Sequence, residues 1–105
     1  MLNIYPTTLL LARDAALAAT AIQRFDKDLA QQLRRSGASV PLNTAEGAGG
    51  RGGTRTARYA DALGSAYEVR ATLETACAMG YLTPPDPDTL DRLDHVIAVL
   101  YKLTH

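Results

Sequence analysis

The chain contains no tryptophan, and Phe25 is its single phenylalanine. Runs of β-branched residues are scarce, and its apolar residues are biased towards Ala and Leu, a composition that favours helix over sheet. Cysteine is nearly absent too. Cys77 stands alone, which excludes a disulfide framework and a cysteine-based metal site and fits a reducing cytoplasm. Net charge is missing as well, with 11 basic against 11 acidic residues. A dedicated nucleic-acid binder is usually basic overall, so the balance counts against that class. No long apolar run occurs. Leu9-Leu10-Leu11-Ala12 is too short to span a membrane, is broken by Arg13-Asp14, and has no basic stretch before it to suggest a signal peptide.

What the chain does have is helical periodicity. Its 105 residues read as one domain, 1–105, large enough for a modest core. A first segment from Pro6 to Phe25 places Thr8, Leu11, Ala12, Ala15, Ala18, Ala19 and Ile22 on one face. A second opens at Asp26 as N-cap and carries an inner stripe of Leu29, Leu33, Ser36, Gly37, Val40, Asn43, Thr44 and Gly47. A third is expected from about Arg55 to Met79, capped by Thr54, with Tyr59, Ala62, Leu63, Ala66, Val69, Leu73 and Cys77 inward. Gly80 suits a left-handed C′ position. A fourth starts at Asp86-Pro87-Asp88 and turns Leu90, Leu93, Ile97, Leu100 and Tyr101 inward. No segment alternates with period two, and no internal repeat is visible. The expected fold is all-α, an antiparallel up-down four-helix bundle.

The most unusual stretch is Ser39-Val40-Pro41-Leu42-Asn43-Thr44-Ala45-Glu46-Gly47 and the glycine-rich turn expected after it. Pro41 removes the hydrogen bond to the Gly37 carbonyl, so the second helix is expected to kink there and continue, Gly37 relieving part of the crowding. Asn43, on the inner stripe, needs a partner, with Ser65, Arg70 or a freed carbonyl in reach.

Chemistry-bearing patterns are few. Gly47 to Gly52 formally matches G-x-G-x-x-G, but a helix precedes it where the dinucleotide fingerprint needs a strand. His95 and His105 have no metal-ligand spacing, and neither a metal nor another cofactor is expected. Neither nucleophile nor base stands beside Glu46, so an enzyme and a small-molecule substrate are not expected. The neutral total hides an uneven distribution. Arg34, Arg35, Arg51, Arg55, Arg58 and Arg70 lie between 34 and 70, whereas Glu74, Asp86, Asp88, Asp91 and Asp94 dominate the remainder. The basic middle is the candidate surface for RNA or an acidic protein, with Arg34, Arg35, Arg51, Arg55 and Arg58 as its binding residues.

A second pattern points to self-assembly. Behind its core stripe the third segment carries Ala57, Ala60, Gly64, Ala71, Thr75 and Ala78 where a solvated back would carry charges. Leu42 repeats this on the second segment, and Leu10 and Leu17 on the first. These residues are the expected oligomer interface.

The run Ser39-Val40-Pro41-x-Asn43-x-Ala45-Glu46-Gly47 followed by Arg51 resembles the signature of the 23S rRNA intervening-sequence proteins. Gln32-Leu33-Arg34-Arg35 before it, and Ala62-x-Gly64-Ser65-x-x-Glu68 after it, fit the same pattern. The accessory proteins of diversity-generating retroelements are similar. The resemblance implies an antiparallel four-helix protomer in a homopentameric ring, and contact with structured RNA or a reverse transcriptase. The function expected is therefore that of a non-enzymatic, oligomeric interaction protein of the cytoplasm, with no membrane segment. Its partner would be RNA or a ribonucleoprotein; the alternative is a protein-only scaffold whose basic patch docks an acidic partner.

Overall fold

The structure is a computed structural model that describes residues 3–105. Among them the regular elements are four α-helices: α1 (Tyr5–Gln23), α2 (Lys27–Gly49), α3 (Gly52–Ala78) and α4 (Pro87–Thr104). The longest dimension, 42 Å, is the length of α3, whose 27 residues span about 41 Å at 1.5 Å per residue.

The helix ends follow from local chemistry. Asp26 caps α2, its side chain accepting a hydrogen bond from the Leu29 N–H at 2.9 Å. Asp86 accepts from the Asp88 N–H at 2.8 Å, and Pro87 fills the first turn of α4, where no donor is needed. Gly80 has φ +78° and closes α3 with paired bonds, Tyr81 N–H to Ala76 carbonyl and Gly80 N–H to Cys77 carbonyl. The start of α3 differs from expectation. It begins at Gly52, with Arg51 at the N-cap position and no side-chain cap, so Thr54 lies inside the helix. α2 runs on to Gly49, and the glycine-rich turn shrinks to Gly50 and Arg51. Gly52 absorbs the sharp reversal with φ +53°, a conformation that side chains rarely adopt.

All four helices contribute to one core. Leu11, Ile22, Leu33, Val40, Val69, Leu93 and Leu100 are fully enclosed. α2 packs most extensively, on α1 and on α3, while α4 closes more lightly against α3 and α1. Alanine and glycine govern the α1–α2 approach, where Ala15, Ala19, Ala30 and Gly37 are all buried. On α4 the inner face is rotated from the one expected. Val96 is buried with Leu93 and Leu100, whereas Leu90 and Tyr101 lie outside. Leu90 flanks the core stripe on the α3 side, where the light α3–α4 packing leaves it uncovered, and Tyr101 stacks on His105.

α2 passes through Pro41 as one helix, with Pro41 itself buried. The fold is joined along α2–α3 by a polar seam. Gln32 Nε2 donates to Glu68 Oε1 at 3.2 Å, Ser65 Oγ donates to Ser39 Oγ at 2.8 Å, and Arg58 pairs with Glu46 at 3.2 Å. Across α1 and α4, Arg92 reaches Asp14 at 2.7 Å, and Asp14 is only 8% exposed.

Candidate functional site

The Ser39–Gly47 stretch is structural in its contacts. Asn43 is half-buried rather than enclosed, and its Nδ2 donates to the Ser39 carbonyl at 3.0 Å and to Ser39 Oγ at 2.8 Å. Ser65 therefore meets Asn43 through Ser39, and Arg70 takes no part in that network. Thr44 is buried and returns its hydroxyl to the Val40 carbonyl at 2.7 Å, a satisfied polar group that costs the core little. Gly47 lies directly over the Tyr59 ring; an added Cβ would sit 2.5 Å from Cδ1. The glycine is required there because α2 and α3 converge on a buried tyrosine. Glu46 is exposed and occupied by Arg58.

The basic residues separate into two groups. Arg51, Arg55 and Arg58 gather where α2 hands over to α3 and are all exposed. Arg55 donates Nε and Nη2 to the Gly50 carbonyl at 3.1 and 2.9 Å, which holds its guanidinium over the turn. Arg58 is shared between Glu46 at 3.2 Å and Asp61 at 3.5 Å. Arg34 and Arg35 sit far down α2, about 21 Å from its end at Gly49 at 1.5 Å per residue. Arg34 is turned towards α1, donating to Gln23 Oε1 at 2.7 Å. Arg70 lies against the Tyr67 ring, 5.3 Å from its centroid. The span from 34 to 70 is thus basic in sequence but does not form one patch in space.

The residues of the expected assembly face share one property. Ala57, Ala60, Gly64, Ala71, Thr75 and Ala78 on α3 are all exposed, and nothing lies within 4 Å of a Cβ built on Gly64. Leu42 is 64% exposed and Leu17 66%, and Leu10 is also exposed. Sequence reasoning missed a further feature, the aromatic stack of Phe25 on Tyr81 with ring centroids 5.2 Å apart and Arg24 over the Phe25 ring. It ties the α1–α2 turn to the segment after α3. No spacing rule links residues 25 and 81, so no sequence signal was available for it.

Among the described residues no group of three His, Cys, Asp or Glu side chains is placed to hold a metal ion, and no helix is long and apolar enough to cross a membrane. Four helices on one core of leucine, isoleucine, valine and alanine, joined by polar seams, define a small all-α bundle protein. The family model of the 23S rRNA-intervening sequence protein matches residues 2–102, and the chain belongs to that family. Neither a curated protein nor a solved structure matches it.

Proposed function

We propose that this chain is a non-enzymatic, homo-oligomeric interaction protein of the cytoplasm that engages structured RNA or a ribonucleoprotein, such as a reverse transcriptase complex. Its protomer is an antiparallel up-down bundle with α2 bent at Pro41. The reversed pairing supports the topology, since 32 with 68, 39 with 65 and 46 with 58 climb α2 as they descend α3. Pro41 has no N–H for the Gly37 carbonyl, which supports the bend.

The observation that carries the assembly is the exposure of apolar and small residues on three helices: Leu17 of α1 and Leu42 of α2 are about two-thirds exposed, and α3 leaves Ala57, Ala60, Gly64, Ala71, Thr75 and Ala78 uncovered. Such residues gain nothing from water and let a second helix approach closely. The family resemblance supports five as the number of copies. Assembly also answers the neutral charge, because copies arranged in a ring repeat the Arg51–Arg55 turn and concentrate a weak site.

Light scattering at micromolar concentration tests the assembly. The unmodified chain gives an oligomeric mass, and Gly64→Arg or Ala71→Glu gives a helical monomer. A monomeric mass for the unmodified chain refutes it. For RNA, binding is steeply salt-dependent, with a slope of about −0.7 to −0.9 in log K per phosphate contact. Joint replacement of Arg51, Arg55 and Arg58 flattens the slope. Absence of binding to structured RNA at low salt removes the RNA reading. The second reading, docking of an acidic protein, is favoured by the pairing of Arg58 with Glu46 and Asp61, which leaves Arg51 and Arg55 as the unneutralised bases of that turn among the described residues.

A further inference from the structure

We propose that α4 is a strap that releases as a unit from the body formed by α1, α2 and α3, pivoting on Thr83-Pro84-Pro85 and held by the Arg92–Asp14 pair as its latch. Release of α4 requires neither assembly nor RNA. Little of the helix is committed to the core. Only Leu93, Val96 and Leu100 of its 18 residues are buried, against five residues on α1 and eight each on α2 and α3. Recesses flank its first turns on both sides. One, of about 410 Å³, opens towards α1 between Leu17, Leu82 and Arg92, and the other, of about 460 Å³, opens towards α3 between Cys77, Leu90 and Leu93. Leu73 of α3 lines both, so the start of α4 passes over Leu73 with open space on either flank. Side chains beside such gaps lose van der Waals partners, which lowers the cost of lifting the helix.

The polar ties are as sparse. Among the described residues, Arg92 to Asp14 at 2.7 Å is the one hydrogen bond or ion pair from α4 to another helix. By contrast, three side-chain pairs join α2 to α3. The connector adds little. Pro84 and Pro85 have no N–H to donate, and among the described residues no backbone hydrogen bond reaches 82–85. The Thr83 carbonyl meets the Cys77 thiol at 3.8 Å, a long contact from a weak donor. α4 also carries its own start signals, Asp86 and Pro87, so its first turn does not rely on the body. Few buried apolar side chains and few hydrogen bonds to break are the features of segments that open while the rest stays folded. Release uncovers Leu73, which is 3% exposed with α4 in place, and gives α3 an apolar strip that the docked state hides.

Native-state hydrogen exchange of the unmodified chain, at fixed protomer concentration and in rising urea below the unfolding transition, tests the strap. The amides of residues 93–100 are expected to exchange as a group at least about tenfold faster than the slowest amides of α2, and with a shallower rise per molar urea, because opening α4 exposes less surface than global unfolding. If they share the rate or the urea slope of the α2 amides, α4 opens only with the whole bundle and the proposal is overturned. Asp14→Ala, which unfastens the latch, is expected to speed α4 exchange by about tenfold, and an unchanged rate overturns the latch. A second arm reads accessibility. In a Cys77→Ser background, Val96→Cys and Val40→Cys place single thiols at positions that are 0% exposed on α4 and α2. With circular dichroism showing both variants folded, Val96→Cys is labelled by a maleimide at least about tenfold faster than Val40→Cys in dilute urea. Equal labelling rates overturn the proposal.

Discussion

Replacing Gly37 with alanine probes how closely α1 and α2 approach. In an unobstructed helix the change stabilises by about 0.5–1 kcal/mol, because alanine has less backbone entropy to lose. Here the new methyl would lie 2.7 Å from Ala15 Cβ, with Ala12 Cα at 3.8 Å behind it. Carbon atoms pack best at about 3.5–4.0 Å, so roughly 1 Å of separation must come from somewhere. Neither methyl has a rotamer that avoids the other, so a whole helix has to shift. Overpacking of this kind costs about 1–3 kcal/mol, which outweighs the propensity gain. The expected net loss is up to about 2.5 kcal/mol, or a fall in Tm of up to about 20 °C for a domain of this size. Thermal unfolding followed by circular dichroism at fixed protomer concentration measures it. Moving the methyl across the interface, in the double variant Gly37→Ala with Ala15→Gly, should recover about 1 kcal/mol relative to additivity. A Gly37→Ala variant with raised Tm would show that propensity alone governs the site and that the close approach is wrong.

Two further outcomes follow from the polar contacts. Asp14→Ala strands the Arg92 guanidinium, which is 25% exposed, and should cost about 1–3 kcal/mol in urea unfolding; an unchanged midpoint would show that the pair contributes nothing. Asn43→Ala removes two donated hydrogen bonds at a half-buried site and should cost about 1 kcal/mol, and a loss above about 3 kcal/mol would mean that Asn43 is enclosed after all.

The helices, their order and most of their buried faces were legible in the sequence, because periodicity and capping act over a few residues. Asp26, Asp86, Pro87 and Gly80 announce helix ends by the hydrogen bonds they make or cannot make with their immediate neighbours, and the structure places them at those ends. The Ser39–Gly47 stretch, with Arg51, likewise marked the family. Where local signals compete, the sequence was less decisive. Thr54 is a good cap residue, yet α3 starts at Gly52, because the positive φ of that glycine lets the chain reverse within two residues.

Tertiary structure alone decided the rest. Leu90 and Tyr101 have the right spacing to be core, but α4 packs lightly on α3 and its buried line passes through Val96 instead. Gly37 sits before Pro41 in sequence, yet the neighbour it must accommodate is Ala15 on another helix. The six arginines between 34 and 70 count as one basic region along the chain, whereas α2 carries two of them about 21 Å from its end, turns Arg34 to Gln23, and leaves Arg58 to Glu46 and Asp61. Periodicity sets which side of a helix is apolar. Which neighbour covers that side, and at what distance, depends on contacts between residues far apart in the chain, and those are settled only when the helices pack.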